Sequence, residues 1–373
     1  MDQFRIPPVS PLLGSTLPNF FRLIKKGHID PKYYFKLFLT FLIIAIATPF
    51  HLWEKIWFSK KLKRYNFKEP PVFIIGHWRS GTTLLHTSLC KDPEAGYVTT
   101  YQSVFPNNLA SKWLFKPIMA LKIPRCRPSD NMPLHPDYPQ EDELAFSNCQ
   151  PYAYYTFFYF PDKYKAIYDQ SVHHKGLTPE EKERWFAIYQ NLLKKAMLNT
   201  GGKRLIIKNP VNTARIKHIL KLYPDAKFLY IYRNPVSTFL SSRLFFQRLL
   251  PTITLRKLDN NAIEEMVFDV YSRLINDYLD QKNLIPQENI LEIRYEDLIK
   301  DPEKCIKTIY SQLLKKDFNS VRNIFSTYFT SAKGYKKNLY EIDRPFMDKI
   351  NTRLKKFMDL YHYDIPEEVI ITE

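Results

Sequence analysis

The chain has 373 residues, a formal net charge of +17 and 45% hydrophobic residues. Such a basic balance indicates anionic partners, namely nucleic acid, anionic lipid or a polyanionic cofactor, but no zinc-finger spacing or RNA-recognition signature supports nucleic-acid binding. The four cysteines lie far apart and form no C-x-x-C motif, which argues against a zinc site and suits a reducing cytosol.

The most apolar segment of the chain lies near its N-terminus. Residues 1–21 lack the layout of a signal peptide, and residues 37–50 then run for fourteen positions without a charge. This length is below the ~18–20 residues that span a bilayer. Trp53 and Trp57 follow at positions where interface anchors are expected. Basic residues flank the segment on both sides: Lys25, Lys26, Lys32, Lys36, Lys55, Lys60, Lys61, Lys63 and Arg64.

Three interpretations of this segment remain open from the sequence. It can form a helix that lies in the membrane interface, a buried helix of a soluble core, or a true membrane span. Because both flanks are positively charged, the orientation rule for membrane helices decides nothing.

The next segment has the pattern of a strand, a loop and a helix that together bind an anion. Residues 72–75 form a short apolar strand, and Gly76 and Gly81 bound a loop that leads into a helix. The spacing of the two glycines is that of a nucleotide-phosphate loop, but Thr82 replaces the lysine that reaches the β/γ-phosphates of ATP. With Arg79 inside the loop, the pattern predicts a phosphate ligand that needs no metal.

An acidic cluster follows a proline-rich stretch. Residues 104–139 are predicted to be an irregular insertion near the substrate. Glu141, Asp142 and Glu143 then open a predicted helix that continues to Cys149. The cluster is either a helix N-terminus favoured by the dipole or the source of a general base.

The aromatic residues from 152 to 160 have two interpretations as well. They form part of the core, or they line a pocket for an apolar or aromatic acceptor.

Two more strand–loop–helix units follow a helix that is capped by Thr178 and ends before Gly201. Strand 205–207 leads into Lys208-Asn209-Pro210, and strand 228–232 leads into Arg233-Asn234-Pro235. Apolar strands that alternate with helices predict a parallel sheet whose loops meet at one edge.

The loop Gly76-His-Trp-Arg-Ser-Gly-Thr-Thr83 resembles the 5′-phosphosulfate loop of sulfotransferases, which use 3′-phosphoadenosine 5′-phosphosulfate (PAPS). It is most similar to the bacterial branch related to protein-tyrosine sulfotransferases, and the resemblance extends from about residue 66 to residue 345. The implied fold is α/β, a P-loop-type three-layer fold with a central parallel sheet. Residues 1–68 would be an N-terminal hydrophobic, basic helical segment, and residues 69–373 the sulfotransferase domain.

The resemblance implies where the cofactor binds. The loop would hold the 5′-phosphosulfate, a second pair would hold the 3′-phosphate, one tyrosine would touch the adenine, and a basic C-terminal loop would add charge. The residues concerned are Arg79, Ser80, Gly81, Thr82 and Thr83, then Arg233 and Ser241, then Tyr295, then Lys336 or Lys337.

Sulfuryl transfer needs cations at the leaving group and a base at the acceptor hydroxyl. A lysine in a similar Lys-x-Pro context in tyrosine sulfotransferases implies that Lys208 acts on the leaving group together with Arg79. Their usual base position corresponds here to Thr99 or Thr100, which cannot serve. Glu141 is therefore the expected base, with Glu143 and His135 as alternatives, whereas His77 is expected to shape the loop.

The predicted function is transfer of a sulfuryl group from PAPS, without a metal, to a hydroxyl acceptor that is lipid-like or otherwise hydrophobic. The predicted location is the cytoplasm, with peripheral or monotopic attachment to the cytoplasmic face of the membrane. The alternatives are a P-loop nucleotide or small-molecule kinase and a non-catalytic membrane-bound protein with a phosphate-binding fold. The sequence predicts neither the identity of the acceptor nor the oligomeric state.

Overall fold

The structure, a computed structural model, describes residues 8–126, 132–331 and 339–373. The chain packs as two compact units, each built from three stretches of sequence. The first unit comprises Met1–Pro71, Pro93–Asn209 and Phe245–Ala262, and the second comprises Val72–Asp92, Pro210–Leu244 and Ile263–Glu373. This division differs from the predicted boundary after residue 68, because the N-terminal helices pack within the first unit.

Helices make up most of the regular structure. In chain order they are α1 (Leu17–Ile24), α2 (Tyr34–Arg64), α3 (Thr82–Leu89), α4 (Thr100–Val104), α5 (Lys112–Lys122), α6 (Asp142–Cys149), α7 (Tyr164–Ser171), α8 (Pro179–Thr200), α9 (Ile216–Leu222), α10 (Pro235–Ile253), α11 (Asn260–Gln281), α12 (Tyr295–Lys300), α13 (Pro302–Thr308), α14 (Arg322–Ser331) and α15 (Arg344–Tyr361). The strands are β1 (Val72–Ile75), β2 (Ala95–Gly96), β3 (Arg204–Lys208), β4 (Lys227–Tyr232), β5 (Ile290–Arg294), β6 (Tyr340–Asp343) and β7 (Val369–Thr372).

The strands of each unit pair in parallel, as the alternation of apolar strands with helices predicts. In the second unit β4 pairs with both β1 and β5, and β6 pairs with β7. In the first unit β2 pairs with β3. Every residue of β1 and β3 is buried, as expected for parallel strands that are covered on both faces. The predicted α/β class is confirmed.

One predicted irregular region contains a helix. Helix α5 lies inside the proline-rich stretch 104–139, with Pro117 in its interior. Met119 is buried in a cluster with Phe58 of α2, and Phe115 packs against the same cluster. Tertiary packing thus overrides the local effect of proline, which the sequence pattern alone could not show.

Helix α2 is longer than the predicted apolar segment, with 31 residues, and continues through Pro49. The 34-residue helical stretch Pro31–Arg64 has a mean hydropathy of 1.9 in its most apolar window, long and apolar enough to cross a membrane, and 33% of that window is buried. Helix α2 is therefore only partly buried against the rest of the protein.

Polar contacts fix α2 to the first unit along its length. The Lys36 ammonium donates to the Thr252 carbonyl oxygen at 2.8 Å, and Thr40 Oγ1 accepts from the Ser10 amide at 2.9 Å. Further along, the Glu54 carboxylate accepts from the Ala110 amide at 2.6 Å and pairs with Lys195. Because these contacts hold α2 against the first unit from Lys36 to Glu54, crossing a bilayer would break them.

The pair formed by Glu54 and Lys195 allows a test of this attachment. Glu54 is only 3% exposed, so Lys195→Met leaves a buried carboxylate uncompensated and should lower the free energy of unfolding by about 3–5 kcal/mol. Glu54→Gln/Lys195→Met keeps the acceptor for Ala110 and should lose much less. Urea unfolding measures both.

Lys203→Met is the matched control, since Lys203 pairs with Glu94 at the surface. It should change the unfolding free energy by less than about 1 kcal/mol. If Lys195→Met behaves like this control, the buried pair does not hold α2 in place.

Candidate functional site

The phosphate-loop pattern is present in the second unit with the geometry that its glycines require. Gly76 follows β1 with φ +139°, and a Cβ there would collide with the Ile231 carbonyl oxygen. The Gly76 amide donates to Thr213 Oγ1 at 2.7 Å. Gly81 caps α3 with φ +99°, and a Cβ there would collide with the Tyr295 ring. Both positions favour glycine, because other residues adopt these backbone angles only with strain.

Three of the predicted anion-binding residues lie together in this unit. Arg79, itself at φ 68°, donates from Nε to Ser241 Oγ at 3.0 Å. Arg233 donates from Nη1 to the Arg79 carbonyl oxygen at 3.4 Å. The loop arginine and the predicted 3′-phosphate pair therefore form one cluster, which carries two guanidinium groups.

Arg233 has a carboxylate partner that the sequence did not suggest. Its Nη2 lies 3.4 Å from Glu368 Oε1, which also accepts from Ser237 Oγ at 2.8 Å. Arg233 is 8% exposed, so its charge is largely removed from water. Glu368 comes 135 residues after Arg233, directly before β7, and belongs to no motif. An acidic side chain thus lies at the predicted 3′-phosphate site.

Tyr295 supports this cluster. It is 6% exposed, its ring lies 4.6 Å from the Arg233 guanidinium, and Gly81 approaches it from the loop. Its contact with adenine stays a prediction.

His77 shapes the loop, as expected. Its Nδ1 lies 2.8 Å from the Trp78 carbonyl oxygen, and its ring centroid lies 4.9 Å from that of Tyr271. Burial lowers the pKa of His77 to about 4, although the backbone hydrogen bond raises it. Ser80 Oγ donates to the His77 carbonyl oxygen at 2.8 Å, which closes the turn. Thr82 is buried at the start of α3, and Thr83 is partly buried beside it.

The first unit brings together two of the predicted catalytic residues. Lys208, the last residue of β3, pairs with Oε1 of Glu141, the residue that caps α6. Lys208 is 1% exposed, and the Glu141 side chain is 16% exposed. Tyr155 donates from its hydroxyl to the other oxygen, Oε2, of Glu141. Both oxygens of this carboxylate are thereby oriented.

The neighbouring carboxylate has a different environment. Glu143 is fully buried, accepts from Asn209 Nδ2 at 2.8 Å and accepts from the Tyr154 amide at 2.5 Å. These contacts tie α6 to the residue after Lys208 and occupy both carboxylate oxygens of Glu143. Burial therefore distinguishes the two glutamates, which no sequence pattern could do.

Three further predicted site residues are not among the contacts of Glu141 and Lys208 given above. The His135 side chain is 54% exposed, and its Nδ1 lies 3.8 Å from the Asp137 carboxylate in its own loop. Its ring packs 5.4 Å from that of Tyr138. Lys336 and Lys337 lie outside the described residues.

The aromatic run mostly forms core. From Tyr154 to Phe160 every residue is buried, and the rings of Tyr154 and Phe157 stack at 4.6 Å. Tyr155 is buried and also contacts Glu141. The sequence does not mark it as a site residue. Its pointer to this role is the position of the acidic cluster just before an aromatic run.

Within residues 8–126, 132–331 and 339–373, no group of His, Cys, Asp and Glu side chains forms a potential metal site.

Solved structures with a similar fold are sulfotransferases. Sulfotransferase STF9 from Mycobacterium avium matches with a TM-score of 0.66 and 13% identity over 94% of this chain and 98% of that one. Sulfotransferase STF1 from Mycobacterium tuberculosis H37Rv matches with a TM-score of 0.60 and 15% identity over 91% of both chains. At these identities the likeness shows the fold.

Sequence comparison extends the likeness. The omega-hydroxy-beta-dihydromenaquinone-9 sulfotransferase Stf3 of Mycobacterium bovis is 29% identical over 356 residues, which cover 94% of this chain and 91% of the relative. A protein of the same name from Mycobacterium tuberculosis matches equally. The sequence profile of the Sulfotransferase family matches residues 70–317, more than half of the chain and within the range of the predicted resemblance. The chain therefore belongs to the sulfotransferase family.

Proposed function

We propose that this sulfotransferase transfers the sulfuryl group of PAPS to a hydroxyl group of a hydrophobic, lipid-like acceptor. The choice of PAPS as the donor is supported by the cluster of Arg79, Arg233 and Ser241 next to the glycine-bounded loop. The acceptor class is supported by the mycobacterial relative, which is named for a hydroxylated menaquinone derivative.

The donor has two anionic ends, and the second unit offers groups for both. The loop from Gly76 to Thr83 would take the 5′-phosphosulfate, and Arg233 with Ser241 would take the 3′-phosphate, because a guanidinium can give a phosphate two parallel hydrogen bonds. Glu368 would then have to leave Arg233, since a carboxylate and a phosphate repel each other. Lys336 or Lys337 would add charge, as the family resemblance implies.

The transfer is an in-line displacement at sulfur. The acceptor oxygen forms a bond to sulfur, the bond from sulfur to the 5′-phosphate oxygen breaks, and 3′,5′-adenosine bisphosphate leaves with the extra negative charge. Glu141 would take the acceptor proton, while Lys208 and Arg79 would stabilise the leaving group.

The pairing of Glu141 with Lys208 links the two roles. When the Glu141 carboxylate takes a proton it becomes neutral, and its attraction for the Lys208 ammonium falls. The lysine charge then becomes available for the leaving group at the step that needs it. Tyr155 would hold the carboxylate in place meanwhile.

The proposed location is the cytoplasm, with peripheral or monotopic attachment to the cytoplasmic face of the membrane. Its support is α2, an apolar helix that keeps one face exposed while contacts fix the other face to the first unit. A hydrophobic acceptor would be reached most readily by an enzyme on the membrane surface.

The function is tested by incubating the purified protein with sulfur-labelled PAPS and a lipid extract of its native membranes. Label should enter the lipid phase, and transfer should survive EDTA, because the loop lacks the lysine that accompanies a Mg²⁺-nucleotide. Label found only in water-soluble hydroxyl compounds would overturn the acceptor class. Transfer of phosphate from Mg²⁺-ATP would instead point to a kinase.

The cofactor site is tested by calorimetry with 3′,5′-adenosine bisphosphate. Arg233→Ala removes a charge-assisted contact and should weaken binding by about 1.5–3 kcal/mol, roughly 10- to 150-fold. Glu368→Gln removes the competing carboxylate and should tighten binding.

Arg243→Ala is the matched control for this experiment, because Arg243 lies on α10, the helix that begins two residues after Arg233, and pairs with Glu264. Its affinity should stay near that of the wild type. Unchanged affinity in folded Arg233→Ala removes Arg233 from the site, and weaker binding in Glu368→Gln would mean that Glu368 positions Arg233 rather than competing with the ligand.

The base is tested by comparing Glu141→Gln with His135→Ala. Glu141→Gln should lower turnover by about 10²-fold or more while affinity for the bisphosphate stays near normal, because the amide cannot take a proton. His135→Ala should remain active, since the exposed His135 side chain contacts Asp137 and Tyr138 of its own loop. An active Glu141→Gln with an inactive His135→Ala would transfer the role to the histidine.

A further inference from the structure

Helix α2 turns polar groups towards the protein and apolar side chains towards the outside, the reverse of an ordinary surface helix. A surface helix of a soluble protein turns its apolar stripe towards the core. In α2 the buried face carries Lys36, Thr40, His51 and Glu54 among its apolar residues. These polar groups are bonded within the first unit, for example His51 to Asn108 at 3.2 Å. The orientation is therefore fixed, and the apolar side is turned outward.

Six of the large exposed apolar side chains of α2 form a stripe along the helix. They recur three or four residues apart, with one interval of seven, and so lie on one side of the helix. Their exposed fractions range from 39% to 70%. The stripe consists of Phe35, Phe38, Leu42, Ile46, Trp53 and Ile56.

Helix α5, which packs against α2, carries large exposed apolar side chains of its own. Phe50 of α2 and Phe115 of α5 meet edge to face at 5.2 Å, so the two helices pack together. On α5, Trp113 is 71% exposed, Ile118 is 52% exposed and Leu121 is 85% exposed. The α2 stripe and these three residues together form the docking face. So many large exposed apolar side chains on two packed helices indicate an interaction surface.

The charges of the two helices favour an anionic partner. Glu54, which is buried, is the only acidic residue in the sequences of α2 and α5. Exposed basic residues stand at the end of α2 and on α5: Lys55, Lys60, Lys61, Lys63, Arg64, Lys112 and Lys122.

Two tryptophans lie at this basic end. The rings of Trp53 and Trp57 are 5.7 Å apart, and the Lys61 ammonium lies 3.8 Å above the Trp57 ring. Tryptophan and lysine side by side are typical of the boundary between lipid headgroups and acyl chains. Lys26 and Lys36, two of the flanking residues in the sequence, instead donate to Gln170 and Thr252.

We infer that the docking face lies in the surface of an anionic lipid leaflet, with α2 parallel to the membrane plane. Because contacts fix the opposite side of α2 from Lys36 to Glu54, only its exposed side can enter the lipid. A second copy of the chain is disfavoured as occupant, since two basic rims would repel each other. The inference deepens the proposed function and depends on it for the link to a lipid-like acceptor.

Vesicle flotation tests the docking face, with phosphatidylcholine vesicles that contain or lack phosphatidylglycerol. Ile46→Ser/Ile56→Ser/Trp113→Ser/Leu121→Ser should bind both kinds at least about tenfold more weakly, because each change removes apolar area from the lipid. Leu284→Ser/Leu339→Ser is the matched control, since these leucines are 55% and 73% exposed outside the docking face, and it should bind as the wild type does.

A second variant tests the charges. Lys60→Gln/Lys61→Gln/Lys63→Gln should bind vesicles with phosphatidylglycerol about fivefold more weakly for each side chain that reaches the headgroups, and should bind pure phosphatidylcholine as the wild type does. An equal loss of binding to both kinds of vesicle would contradict the electrostatic contribution of these lysines.

Calorimetry with 3′,5′-adenosine bisphosphate on every variant shows that the fold and cofactor site are intact. Wild-type protein that binds the bisphosphate but floats with neither vesicle overturns the docking face and leaves the sulfotransferase activity standing. Light scattering completes the test: a wild-type dimer that the four-residue variant converts to a monomer would make this face a subunit contact and overturn the inference.

Discussion

The structure depends on the rule that a buried positive charge needs a negative partner. Lys208 and Arg233 are both nearly removed from water. Removing one member of a buried ion pair costs about 3–5 kcal/mol, so each cation needs a carboxylate in the protein without ligand. Glu141 serves Lys208 in the first unit, and Glu368 serves Arg233 in the second.

A polyanionic donor suits a protein that is built in this way. Its phosphates can replace a carboxylate at a buried guanidinium and gain more from the charge, because a phosphate carries more negative charge and more acceptor oxygens. At Lys208 the exchange has a different form, since Glu141 can lose its charge by taking a proton. The need of a buried positive charge for a negative partner thus explains phosphate binding at Arg233 and proton transfer to Glu141 beside Lys208.

The features that the sequence predicted correctly are those that depend on residues close to one another in the chain. The glycines at 76 and 81, the strands at 205–207 and 228–232, and the capping box at Thr178 depend on neighbours a few residues away. The structure contains all of them, and β3 extends further to include Lys208.

The rest depends on contacts between distant residues. Glu368 reaches Arg233 only because the C-terminal segment folds back, and Tyr155 was one aromatic residue among many until its hydroxyl met Glu141. The exposed side of α2 was also hidden, because apolar spacing shows that a stripe exists and not which way it turns. Helix α5 was missed because its proline is compensated by packing against α2.

A crystal structure with 3′,5′-adenosine bisphosphate tests the central claim most directly. The account predicts the 3′-phosphate oxygens within hydrogen-bond distance of Arg233 and Ser241, the Glu368 carboxylate moved away from Arg233, and the 5′-phosphate against the loop from Gly76 to Thr83. A bisphosphate that binds with the contact between Arg233 and Glu368 intact, and with its 3′-phosphate held elsewhere, would contradict it.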